Sequence, residues 1–138
     1  MTLRSILVAA VVAAALVFAA SAATAAQPVV EIIALGHWPV RNALGPVREM
    51  LGNYDGRIRV VELDAESEDG ERRLNAVGLK GHIPIVVLID GKHRFRRADG
   101  TAVAFVNFPA AAGNPMGLNG AWTAADLEAA LQERLQQR

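Results

Sequence analysis

The chain contains no cysteine. That excludes structural disulfides, thiol catalysis, thiolate metal sites and attachment of a lipid to an N-terminal cysteine. It carries no net charge, which argues against a nucleic-acid binder, because such affinity comes largely from neutralising phosphates. Nor does it contain a G-x-S-x-G serine, an H-E-x-x-H zinc motif, a G-x-x-x-x-G-K phosphate loop or a dinucleotide fingerprint. What is abundant is apolar residues at one end. Of the first 26 residues, 21 are apolar and only Arg4 is charged; the other 112 have an ordinary globular composition and suffice for one core.

Arg4 precedes an unbroken apolar run from Ile6 to Ala20, which gives way to small residues and the A-x-A exit Ala23-Thr24-Ala25. This order is that of a secretory signal peptide cleaved near Ala25 or Ala26, and it predicts a periplasmic or secreted domain over 27–138. Ile6 to Ala26 is also long enough to span a bilayer. Its Ala-rich second half with Ser and Thr, abutting Pro28, favours cleavage, after which no membrane contact is expected.

The remaining pattern reads β-α-β-α-β-β-β-α. Val29 to Leu35 is a short, Val/Ile-rich buried strand. Val40, Leu44, Val47, Met50 and Leu51 recur at helical spacing and predict a helix from Pro39 to Asn53, kinked at Pro46. Ile58 to Leu63 reads as a second, mostly buried strand. Ser67 caps a helix that Gly78 terminates, and the acids between them suit its positive end. Ile83 to Ile89 is the most hydrophobic strand of the domain, with Pro84 at its entry. Turns at Asp90-Gly91 and Asp99-Gly100 bracket a strand from Lys92 to Arg97 and lead to another from Thr101 to Phe108. Pro109 to Ala121 is a loop. In the last helix Thr123 is the N-cap, Asp126 stands three residues on, and Trp122 is placed to pack on Leu127. A parallel βαβ start and an antiparallel end indicate a mixed sheet with helices on both faces.

Two segments resemble the thioredoxin family. Gly36-His37-Trp38-Pro39-Val40 stands where that family has W-C-G-P-C, with Tyr54-Asp55-Gly56 following at the matching distance. Gly78-Leu79-Lys80-Gly81-His82-Ile83-Pro84 is similar to the segment that ends in the family's cis proline, with one extra residue, His82. The resemblance covers residues 29–91 and the terminal helix. It implies a thioredoxin-like sheet of four to five strands, a cis Ile83-Pro84 bond, and Pro84 lying beside His37. His37 and Val40 occupy the two cysteine positions, so thiol–disulfide exchange is not carried over. Lys92 to Ala121 departs from the family by an added strand and the long loop.

The candidate binding residues are Gly36, His37, Trp38, Pro39, Arg41, His82, Ile83 and Pro84. His37 and His82, brought together by the resemblance, suggest a Cu or Zn site that Met116 of the long loop could join, though a third strong ligand is missing and two solvated loop histidines are the commoner outcome. Trp38 at a helix entrance is either a contact for a partner chain or a lid on the core. Arg41, just inside the same helix, opposes the helix dipole, and an acidic ligand group would relieve that mismatch. Lys92, Arg94 and Arg96 share one face of their strand, suited to an acidic partner or, more commonly, to protecting a sheet edge. Asp64, Glu66, Glu68 and Asp69 are explained by capping.

The expectation is therefore a secreted, redox-inactive, thioredoxin-like domain without a required cofactor, which binds a protein or peptide through Gly36–Val40, His82–Pro84 and the Pro109–Ala121 loop. A periplasmic metal-binding or metal-delivery protein using His37 and His82 is the alternative, and an enzyme of unknown class the least supported.

Overall fold

A computed structural model describes residues 25–110 and 120–137. The apolar positions 1–24, loop positions 111–119 with Met116 among them, and Arg138 lie outside the described residues. The described chain is mixed α/β. Its elements are β1 (Val29–Ala34), α1 (Trp38–Ala43), α2 (Gly45–Gly52), β2 (Arg59–Asp64), α3 (Glu68–Ala76), β3 (Ile85–Ile89), β4 (Arg94–Arg96), β5 (Ala102–Ala104) and α4 (Ala124–Gln136).

β1 is central, with β2 parallel on one side and β3 antiparallel on the other. Alternation along β1 splits the core in two. Val30 and Ile32 join Val40, Leu44, Val47, Phe105, Trp122 and Leu127 on one face; Ile33 meets Leu74, Val86 and Leu88 on the other. Helices α1, α2 and α4 therefore cover the first face and α3 the second, as the alternation of elements predicts. The sheet is smaller than expected. Three strands form it, and β4 and β5 form a separate two-stranded sheet, linked to β3 by a bridge between Val86 and Val106 and by the Val87 amide donating to the Phe105 carbonyl at 2.9 Å.

The predicted helix over 39–53 is two helices. Pro46 has no N–H to offer, and the chain breaks two residues earlier, at Leu44 (φ −83°, ψ −8°), before resuming at Gly45. β2 also differs from expectation. As an edge strand it is largely exposed, and Val60 keeps 43% of its surface.

The strand expected from Thr101 to Phe108 is cut to Ala102–Ala104, and Asn107 within that span takes a positive φ that no strand continues through. Other local signals were followed. Ser67 accepts from the Gly70 amide, and the Thr123–Asp126 capping box is complete. Asp90 and Gly91 both take positive φ, as a tight two-residue hairpin requires. The Asp90 carboxylate then accepts from the Val29 amide at 2.9 Å and from Arg134 at 2.5 Å, tying the start of β1 and the end of α4 to this turn. Trp122 is fully buried; its indole N–H is shared by the Val106 and Asn107 carbonyls, and Phe105 meets its ring edge-on at 5.7 Å.

Candidate functional site

The end of β1 and the start of β3 lie side by side. Ala34 is opposite Ile85, and one residue on the Leu35 amide donates to the Pro84 carbonyl at 3.0 Å. This antiparallel pairing brings the Gly36–Pro39 loop alongside His82–Pro84, two segments far apart in sequence. Leu35, Val40 and Pro84 are buried and anchor the two segments, Ile83 is half-buried, and Gly36, His37, Trp38, Arg41 and His82 are exposed. Trp38 leaves 68% of its surface to solvent, which decides between contact and lid: the ring does not cover the core. Pro39 occupies the first turn of α1, where its missing N–H costs nothing. His37 is the N-cap in extended conformation (φ −74°, ψ 151°); its imidazole does not cap, and its carbonyl accepts from the Arg41 amide at 3.0 Å.

Two expectations change. The Ile83–Pro84 bond is trans, since the described chain has no cis peptide. Trans is the lower-energy form by about 0.5–1 kcal/mol, and here Pro84 runs straight into the β3 ladder with its carbonyl engaged by Leu35. The Arg41 mismatch also disappears. Because the helix breaks at Leu44, Arg41 falls in the last turn of α1, where a cation is favourable. As for metal, no group of three or more His, Asp or Glu side chains among the described residues is placed to hold an ion. His37 and His82 remain two exposed imidazoles on adjoining segments.

The pattern of charges missed one feature. A hollow of about 200 Å³ opens where β1 and β2 end, lined by Leu35, Gly36, Arg41, Arg48, Glu62 and Asp64. Arg48 reaches from α2 to chelate the Glu62 carboxylate at 2.8 and 3.1 Å, and that bond raises the pKa of its guanidinium. Asp64 is committed too, accepting from the Glu66 amide at 2.9 Å in the turn that precedes Ser67, the residue that caps α3.

Elsewhere, burial together with a hydrogen bond to Glu128 raises the pKa of Tyr54, a change that does not make its hydroxyl a nucleophile. The basic row keeps the predicted alternation: Lys92, Arg94 and Arg96 are exposed, while His93, Phe95 and Arg97 turn inward. Burial, and secondarily Arg94, holds the His93 imidazole below its ordinary value of 6.5. Arg97 grips Asp126 at 2.8 and 2.7 Å and so belongs to the packing of α4.

No family model matches the chain, and comparison with curated proteins and with solved structures returns no match. Among the described residues no helix is long and apolar enough to cross a membrane.

Proposed function

We propose that this chain is a secreted, non-catalytic, thioredoxin-like binding domain that recognises a protein or peptide through the surface formed by Gly36–Pro39 and His82–Pro84. The observation that carries the reading is the exposed ring of Trp38, held on a short proline-started helix beside a second loop. Tryptophan supplies a large contact area with few rotatable bonds, and it is enriched where binding energy concentrates. The fold-family part of the proposal rests on the resemblance of the segments Gly36–Val40 and Gly78–Pro84. The parallel β1–β2 pair, the antiparallel β1–β3 pair and the helices over both faces agree with the mixed sheet expected from the order of elements. The trans Ile83–Pro84 bond and the separate β4–β5 sheet depart from what the resemblance implies.

The test is selection of peptides from a displayed library on the purified chain, read by fluorescence. Trp38 is the solvent-exposed indole and Trp122 the buried one, so a ligand at the proposed surface shifts the exposed emission to shorter wavelength. Trp38→Ala should abolish binding. Selected peptides whose affinity Trp38→Ala leaves unchanged would move the binding surface elsewhere.

A further inference from the structure

We propose that the outer edge of β2 pairs antiparallel with the same edge of a second copy, joining two three-stranded sheets about a two-fold axis. The inference goes beyond the binding surface at Trp38 and does not depend on it.

Among the described residues β2 has a neighbour on one side only. The Arg59 amide donates inward to the Pro28 carbonyl and the Ala65 amide to the Ala34 carbonyl, each at 2.9 Å. Since peptide groups alternate in direction along a strand, those of Val60 and Glu62 face outward. An open row of this kind is a template for another strand. Beside it, between β2 and α2, lies a groove of about 530 Å³ with Leu51, Ile58 and the exposed Val60 among its lining and Arg48, Asp55 and Glu62 at its rim.

Charge decides the occupant and its direction. Arg57 and Arg59 stand at the start of the strand and Asp64 and Glu66 at its end, while Glu62 is held by Arg48 of its own copy. Antiparallel pairing about an axis near Val60 and Val61 sets the basic end of each copy against the acidic end of the other. Parallel pairing would set like charges together. Arg59 and Asp64 lie on opposite faces of the strand, so the attraction acts across the edge as a salt-screened field rather than as contact ion pairs. The edge formed by β4 is the counter-example. Lys92, Arg94 and Arg96 carry one sign and repel a second copy. With no net charge on the chain, no overall repulsion opposes the β2 contact.

A six-residue edge and its groove make a small interface, so the dimer should be reversible and of roughly micromolar affinity. Sedimentation equilibrium of the chain expressed from its full coding sequence, over about 1–200 μM at low salt, should show the mass rising to twice that of one chain. Val60→Lys should leave a monomer across the range. Arg59→Glu makes the acidic sign dominate the edge, and Glu62→Arg the basic sign. Each should weaken self-association at least tenfold while a 1:1 mixture of the two recovers the dimer. Circular dichroism confirms that each variant is folded, and Trp38→Ala should leave association unchanged. A single-chain mass at every concentration overturns the proposal. So does association that all three edge variants leave intact, or folded charge variants that stay monomeric when mixed.

Discussion

Arg73 on α3 holds the carboxylate of Glu31, in the middle of β1, through two hydrogen bonds of 2.8 and 2.7 Å. The pair lies on the face that α3 covers, and Glu31 retains 13% of its side-chain surface. It admits a charge to the central strand because the fork geometry satisfies both oxygens. Removing one partner should be worse than removing both. Arg73→Met is expected to cost about 1–2 kcal/mol, the lower part of the range for charged hydrogen bonds because the guanidinium is about a third exposed. Adding Glu31→Val should return most of that loss. Urea denaturation of the two single variants and the double variant measures it, and additive losses would show that the pair is not coupled.

Gly70 is a second point of close approach. It lies in α3, and a Cβ there would overlap the Asp64 carbonyl at the end of β2. Gly70→Ala would ordinarily favour a helix. Here it should destabilise by about 1–3 kcal/mol, as overpacking does. An unchanged or raised denaturation midpoint would show that the β2–α3 connection yields easily.

The two tryptophans should separate stability from binding. Trp122→Ala removes a fully buried ring and both carbonyl contacts, with an expected loss of about 3–5 kcal/mol. Trp38→Ala should stay within about 0.5 kcal/mol of the parent. Thermal denaturation distinguishes them, and a large loss at Trp38 would mean that its ring packs on the core.

Acid should weaken the fold in two stages. The His93 imidazole is held below 6.5 by burial and by Arg94, so above that pH it is neutral in both states and contributes nothing. As pH falls below 6.5 the unfolded chain takes up the proton first, and stability declines until the folded imidazole is also charged. Asp126 is held below 3.8, chiefly by Arg97 and further by the Thr123 amide; its contribution is complete above 3.8 and is lost as pH falls through the lower folded value. Urea midpoints between about pH 7.5 and 5 should fall, and His93→Gln should flatten that slope. A slope unchanged in the variant would assign it to other groups.

If the leader is removed on export, the chain recovered from a periplasmic extract should begin at Ala26 or Gln27. Intact mass decides this. A full-length, membrane-bound species would make Ile6 to Ala26 an anchor.

Much of the fold was legible because its signals are local. The Thr123–Asp126 box, the Ser67 cap, the Asp90-Gly91 turn and the period of each strand involve residues a few positions apart, and the backbone obeyed them. The candidate site was legible only as a place. Gly36–Pro39 and His82–Pro84 do adjoin, through the Leu35–Pro84 hydrogen bond. The geometry of Pro84, the role of Arg41 and the Arg48–Glu62 pair were not legible, because each depends on where the chain breaks or what faces it from another element.

By itself, then, the sequence determined that no thiol chemistry is possible and roughly where the helices and strands lie, since composition and short-range hydrogen bonding suffice for both. Only the tertiary structure decided that β1 is central and β2 an open edge, that Trp38 faces solvent while Trp122 is enclosed, and that Glu31 has a partner 42 residues away. Burial and charge pairing are properties of two surfaces meeting, and a linear pattern of apolar and polar residues describes only one surface at a time.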